Sequence, residues 1–264
     1  MRPNRLLRLD AVDNARDYGD YATAAGRRVR PGVLFRTAHH ARASDADLER
    51  MAAWGVATVV DLRRPSERSH QPSRRPAGFT GRVIEVAHDD GGEAPHLTFL
   101  KTTDLTESSG RAFMIDTYRS MPFDPGHLDV FARYFRALGE GGDEGQGAVV
   151  IHCAAGKDRT GLLAALTHRL LGVHPDDVVQ DYLLTNAAVD LAGRAPAIAK
   201  QLHAMTGRVA SDAAVTAFLG VEPAYLDAAF AAVAQRHGSI ETYLEQALGV
   251  DAALRSRIVE RLSA

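Results

Sequence analysis

The chain runs in two rhythms of apolar and polar residues. Unbroken apolar runs, rich in β-branched residues and closed by polar or glycine turns, predict buried strands at Val33-Leu34-Phe35-Arg36, Val56-Ala57-Thr58-Val59-Val60, Val83-Ile84-Glu85-Val86 and Ala148-Val149-Val150-Ile151. Helical spacing appears between and after them. Ser44 is a good N-cap with Asp47 three residues on, Leu48, Met51 and Ala52 share a face, and Gly55 ends the helix. Helices are also predicted over 111–121, 127–138 and 162–171, and from Pro175 onward. Beyond Ala187 the chain turns helical throughout: an Ala-rich stretch to Leu219 broken near Gly207, then 222–238, 239–249 and 251–262. A hairpin is expected at 21–30 around Ala25-Gly26. Polar, irregular chain is expected from His88 to Ser109, a flexible glycine-rich connection at 140–147, and a solvated loop at His39-His40. The cluster Arg63, Arg64, Arg68, Arg74 and Arg75 reads as a solvated, proline-stiffened loop except at Arg63, close to Asp61, with a surface that attracts anionic substrates or lipid headgroups as the alternative. Strands alternating with helices give an α/β class.

Composition narrows this only a little. At 264 residues, 45% hydrophobic and 24% charged, the chain can bury a sizeable core. A net charge of −2 gives no general attraction to nucleic acid. The N-terminus lacks a signal-peptide apolar core, and no stretch reads as long and apolar enough to span a membrane. The single cysteine, Cys153, forbids an intramolecular disulfide and suits a reducing compartment. The expectation is a cytoplasmic protein without stable membrane insertion, with export lacking a classical signal left open. Composition says nothing about oligomeric state. His39-His40 lacks further ligands at metal-binding spacing, and no metal or cofactor is expected.

The chemistry gathers in His152-Cys153-Ala154-Ala155-Gly156-Lys157-Asp158-Arg159-Thr160-Gly161, between the last strand and a helix. If that helix starts near Arg159, the N–H groups of Ala154, Ala155, Gly156 and the residues up to Arg159 converge into an anion nest at the positive end of the helix dipole. A thiol held there favours its thiolate. The same nest suits a phosphate, whose oxygens the Arg159 guanidinium can fork. Gly156 lets the turn curl, and Lys157 adds charge either at the rim or merely in solvent. A nucleotide-binding reading of Gly156-Lys157 fails, because Asp158 stands where Ser or Thr is needed and Ile151 where the first Gly is needed. A sulfur-transfer or arsenate-reducing enzyme explains Arg159 and Thr160 less well, and a non-catalytic phosphate-binding module leaves Cys153 unexplained. Asp61, at the end of another strand, stands where sites collect in parallel sheets, with Arg63 close by.

The motif H-C-x-x-G-K-D-R-T-G resembles the signature of a bacterial branch of the protein tyrosine phosphatase superfamily. Its Gly156-Lys157-x-Arg159-Thr160-Gly161 portion is also similar to lipid phosphatases. Asn14-Ala15-Arg16-Asp17-Tyr18-Gly19 resembles that family's N-F-R-D-L-G-G segment, departing at Ala15 and Tyr18, and Tyr118-Arg119 matches a pair often found there. The resemblance covers about 11–262. It implies a protein tyrosine phosphatase-like fold over 1–264 as one domain: a central, mostly parallel sheet flanked by helices, with a helical part at about 187–264 that includes a lid. It also implies a phosphomonoester hydrolase acting through a phosphocysteine, on phosphotyrosine and, more broadly, phosphoserine/threonine proteins, with phosphoinositides as the alternative substrate. Cys153 is the expected nucleophile and Arg159 the clamp. Ala154, Ala155, Gly156, Lys157 and Arg63 are expected to bind substrate. Thr160 is expected to donate to the Cys153 sulfur, while His152, Arg16 and Asp17 support the turn. Asp158 is preferred as general acid over Asp61, which would then position Arg63 or the hydrolytic water.

Overall fold

A computed structural model describes residues 5–87, 95–140, 147–209 and 211–264. Its centre is a five-stranded sheet in the order β1-β2-β5-β3-β4. The strands are β1 (Arg16–Asp17), β2 (Leu34–Thr37), β3 (Val56–Asp61), β4 (Arg82–Glu85) and β5 (Ala148–His152). Only the short edge strand β1 is antiparallel to its neighbour; the other pairings are parallel. Register carries the functional consequence. Thr37 and Asp61 both lie opposite His152, so β2, β5 and β3 end flush. Whatever follows Thr37, Asp61 and His152 is delivered to one edge of the sheet.

Side chains of β5 alternate between two faces, as the period of a strand requires. Val149 and Ile151 join the main core, while Ala148 and Val150 join a smaller cluster with Phe35 and Val59. The main core is built by helices: α4 (Glu107–Ser120), α5 (Pro125–Gly139), α6 (Asp158–Leu170), α7 (Pro175–Ala188), α10 (Pro223–His237), α11 (Ile240–Gln246) and α12 (Ala252–Leu262). In α5 the stripe Val130, Phe131, Tyr134, Phe135 and Leu138 is fully buried, the helical spacing of an element pressed on a sheet. The opposite face is covered more thinly, by α1 (Asp45–Ala52), Trp54, Phe79 and the N-terminal segment at Leu7.

The Ser44–Asp47 capping box forms as expected, and Asp47 also accepts the backbone N–H groups of Asp10 and Ala11. The 21–30 hairpin closes through Val29 N to Tyr21 O and Thr23 N to Arg27 O. The Ala-rich stretch becomes α8 (Leu191–Thr206) and α9 (Asp212–Leu219), with Gly207 in the left-handed region between them.

Several sequence expectations need correction. The arginine-rich loop after Arg63 contains α2 (Pro65–His70), begun by Pro65 at its first turn with Glu67 bonding back to the Arg64 N–H. The stretch expected to be irregular up to Ser109 contains α3 (Pro95–Thr102) and the start of α4, capped by Thr106; 88–94 lie outside the described residues, as do 141–146 of the glycine-rich connection. His40 is buried rather than solvated. The stretch Asp212–His237 is long and apolar enough to cross a membrane by length and composition, contrary to the sequence reading. In the fold it divides at Gly220 into α9 and α10, and Tyr225, Leu226, Ala229 and Val233 of α10 are buried in the core.

Candidate active site

β5 ends at His152, and Cys153 opens the turn that α6 closes. Cys153 is buried at the end of the most central strand. The carbonyls of the turn are tied down one after another. Ala154 O accepts the His39 N–H at 3.1 Å. Ala155 O accepts Asn14 Nδ2 at 3.2 Å, and Gly156 O accepts both Asn14 Nδ2 at 2.7 Å and an Arg36 guanidinium nitrogen at 2.9 Å. A trans peptide points its N–H opposite to its C=O. With the carbonyls of 154, 155 and 156 turned outward, the N–H groups of Ala155, Gly156 and Lys157 face the other way and form the nest. Gly156 has φ +64°, and a Cβ there would lie 2.3 Å from the Thr37 carbonyl oxygen. No other residue fits that approach without moving β2.

The tethers are themselves fixed by buried charge. Asp181 on α7 bonds Arg16 Nε at 3.2 Å and Arg36 at 2.9 Å. Burial alone would raise the Asp181 carboxyl, but the two arginines hold it far below the usual range. Arg16, lowered to about 10 by burial and by Arg36, stays charged and donates to Asn14 Oδ1, the side chain that holds the turn. Arg16 therefore reaches the turn through Asn14. Asp17 does not: its carboxylate accepts the N–H groups of Gly19, just after β1, and Gly32, just before β2, and ties those two segments together.

Arg159, in the first turn of α6, forks Glu67 of α2, with contacts of 2.6 and 2.8 Å, and also donates to Leu62 O at 3.0 Å. Burial works against its charge, yet the hydrogen bonds and charge of Glu67 outweigh this and raise its pKa further. Glu67 is held below its ordinary range because the same arginine outweighs its own burial. The clamp is thus oriented before any ligand arrives.

The two candidate acids have opposite surroundings. Asp61 is fully buried and forks Arg63, at 2.9 Å to Nε and 2.7 Å to a terminal nitrogen, and also accepts the Arg63 N–H. Burial would raise its pKa, but His152 and Arg63 hold it down to about 2. It is a standing carboxylate with no proton to give near neutrality. Asp158 is partly exposed beside the turn, accepts the Tyr118 hydroxyl at 2.9 Å and lies 3.3 Å from Lys157 Nζ. Tyr118 in turn accepts the Tyr182 hydroxyl at 2.7 Å. Burial and the nearby Asp158 charge hold the Tyr118 phenol well above its ordinary pKa, so it remains a donor.

Other expected site residues are engaged differently. Arg63 is buried, and its guanidinium donates to Asp61, Gln71 O and Ser73 Oγ, which turns it away from substrate binding and toward bracing the 71–73 segment. Lys157 is neither a free rim cation nor solvated. It is buried, and Nζ donates to Phe218 O at 2.9 Å and Gly220 O at 3.2 Å, the carbonyl end of α9. The Thr160 hydroxyl is buried with no hydrogen-bond partner among the described residues, so the expected bond to the Cys153 sulfur is absent. His152 is buried 3.5 Å from Asp61 and packs its ring 4.2 Å from that of His40. Burial lowers it to about 4 against the pull of Asp61, so it is neutral, and His40 is lowered for the same first reason. Sequence reasoning missed Glu67, Asn14, Arg36, Asp181 and the hydroxyls of Tyr118 and Tyr182. Glu67 had a signal: Pro65 at a helix start with Glu at the third position. Among the described residues no group of three or more His, Cys, Asp or Glu could hold a metal.

A mostly parallel sheet that delivers one cysteine into a backbone nest, with an arginine in the first turn of the following helix fixed by a carboxylate, defines the class of cysteine-dependent phosphatases. A profile of the tyrosine phosphatase family matches residues 7–264. The chain belongs to that family and is a cysteine-based protein-tyrosine phosphatase. It is 36% identical over 249 residues to a Cupriavidus necator protein that carries a provisional tyrosine-protein phosphatase name, covering 94% of this chain and 85% of that one. It is 31% identical over 279 residues to the triple specificity protein phosphatase PtpB of Mycobacterium tuberculosis, covering 95% and 96%. A tyrosine-protein phosphatase of Nostoc commune is 30% identical over 162 residues, 58% of this chain and 48% of its own length.

Proposed function

We propose that the protein hydrolyses phosphotyrosine in proteins through a phosphocysteine on Cys153, with phosphoserine/threonine proteins and phosphoinositides as further substrates. The observation that carries this reading is the nest of Ala155, Gly156 and Lys157 N–H groups beside Cys153, with Arg159 already oriented by Glu67. The sulfur of the Cys153 thiolate forms the S–P bond as the bond from phosphorus to the leaving oxygen breaks. Arg159 and the nest hold the equatorial oxygens, where charge accumulates. Asp158, as general acid, gives a proton to the leaving oxygen. It then takes one from the water that opens the phosphocysteine. Asp61 keeps Arg63 in place. Asn14, Arg16, Arg36 and Asp181 hold the turn, with neutral His152 and His40 packed beneath it.

We read residues 1–264 as one catalytic unit, since a single core cluster draws on residues from Tyr18 to Leu262. The α8–α9 segment, whose carbonyl end rests on Lys157, is the candidate cover of the site. Breadth of substrate is supported by the Gly-Lys-x-Arg-Thr-Gly similarity to lipid phosphatases and by the name of the mycobacterial relative. The buried Lys157 would reach a headgroup only by leaving the α9 carbonyls. The lone, unpaired cysteine supports a reducing compartment, such as the cytoplasm. The test compares kcat/KM for a phosphotyrosine peptide, a phosphoserine peptide and a phosphoinositide, with Cys153→Ser as the control. Highest kcat/KM on the phosphotyrosine peptide, lost in Cys153→Ser, supports the reading. A preference for the phosphoinositide by an order of magnitude or more would replace it with the lipid reading.

A further inference from the structure

The thinly covered face of the sheet holds a cavity of about 660 Å³, bounded by β3, β5, α1 and the 75–82 segment. This is within the ordinary size range of small-molecule sites, roughly 300–1,000 Å³. None of the residues 153–159 lines it. Its apolar wall includes Met51, Val56, Val59, Val150 and Phe79, and its polar lining includes Arg75, His40, Thr80 and Arg82.

Arg75 contrasts with five other arginines. Arg16, Arg36, Arg63, Arg74 and Arg159 each face a carboxylate. Arg75 is half-buried and faces none within ion-pair distance among the described residues. Its hydrogen bonds are to the carbonyl of its own neighbour Arg74, at 3.2 Å, and to His40 Nδ1, at 3.4 Å. The Asp61 and Glu85 carboxylates act on Arg75 only at longer range, so a guanidinium brought partly out of water without a direct counter-ion would gain from an anion entering the cavity. Arg82 also lines the cavity but is paired with Glu140, so the charge presented by Arg75 beside a neutral histidine matches a monoanion. The apolar wall matches a compact hydrocarbon body behind it.

We propose that this cavity is a second ligand site, separate from the Cys153 turn, which takes a small carboxylate-headed amphiphile: the carboxylate on Arg75 and an aliphatic or aromatic body along Val56, Val59, Val150 and Phe79. The chain's only tryptophan provides the reporter. Trp54 stacks on Phe35 with ring centres 4.7 Å apart, and both pack in the cluster that contains Val59 and Val150 of the cavity wall.

The test titrates the full-length protein with octanoate, below its micelle concentration, while following Trp54 fluorescence. The titration is repeated with 1-octanol, with saturating inorganic phosphate, and with Arg75→Gln. The proposal expects a saturable change whose midpoint does not move with phosphate. It expects binding about tenfold weaker or more for octanol and for Arg75→Gln, the loss of one charge-assisted hydrogen-bonded pair. Coincident melting curves establish that Arg75→Gln is folded; if it is not, the comparison of octanoate with octanol on wild type decides. No saturable change, a midpoint displaced upward by phosphate, or equal binding of octanoate and octanol would each overturn the proposal, as would an Arg75→Gln titration that matches wild type.

Discussion

Charge at Asp61 is held by a fork to Arg63, while charge at Asp158 is balanced by a tyrosine hydroxyl and a lysine at the edge of the turn. The same side chain therefore has different work at the two positions. Asp158→Asn should lower kcat on phosphotyrosine peptides by about 10²-fold or more, the usual contribution of a general acid, and spare esters whose leaving group needs no proton. A series of aryl phosphates of increasing leaving-group pKa reads this directly. Equal losses across the series would remove Asp158 from that role. Tyr118→Phe takes away the hydroxyl that holds Asp158. Its expected effect is a shifted basic limb in the pH profile of kcat/KM, where the general acid loses its proton, with Cys153 reactivity unchanged, and an unaltered profile would show that the contact is only structural. Cys153, Arg159 and Asp158 were legible in the sequence because they share one short turn. Tyr118 stood out only as part of a Tyr-Arg pair, since its partner is 40 residues away.

At the scale of elements, α2 stands where the sequence pattern predicts a loop. Its cluster of arginines reads as a solvated surface, whereas its working residue is Glu67, 92 residues from the arginine it orients. Pairings of that range follow from the flush ends of β2, β5 and β3 and not from local pattern, although the strands and the sheet edge were readable from their apolar runs. Glu67→Gln keeps the size of the side chain and halves its acceptor capacity. It should reduce kcat/KM by about tenfold or more through loss of a charge-assisted pair, with the melting temperature nearly unchanged because the pair is partly exposed. A large loss of stability without a kinetic defect would make the fork a structural tie only. Asn14→Ala should cost about 1–3 kcal/mol of stability, because the Ala155 and Gly156 carbonyls lose its amide. Urea unfolding measures this, and an unchanged midpoint would show that Arg36 holds the turn without it.

Across the whole molecule, buried histidines couple the fold to pH. His152 is lowered to about 4, first by burial, and His40 and His168 are lowered as well. The unfolded chain binds protons at these histidines near pH 6.5, whereas the folded one does not until lower pH. Stability is therefore full above that value and falls as pH drops toward 4, by about 3 kcal/mol for His152 alone. Asp61 has the other sense of ionisation and the same direction of effect. Its folded value of about 2 gives stability that is present above pH 3.8 and lost as pH falls through about 2. Urea midpoints between pH 7.5 and pH 4 should fall steadily, and more shallowly in His152→Asn. A flat profile in the wild type would mean that these rings are solvated. This buried charge and imidazole layer under the turn was not legible in the sequence, where His39-His40 reads as an exposed pair. The burial comes from β2 and β5 packing side by side.

Catalysis by this turn depends on one covalent event, transfer of the phosphoryl group to Cys153. Rapid acid quenching of the Asp158→Asn variant during turnover of radiolabelled p-nitrophenyl phosphate, followed by peptide mapping, tests it most directly. The label is expected on the Cys153 peptide as an acid-stable, iodine-sensitive thiophosphate, and to be absent from Cys153→Ser. Turnover with no label on that peptide, or full activity retained in Cys153→Ser, would contradict the account.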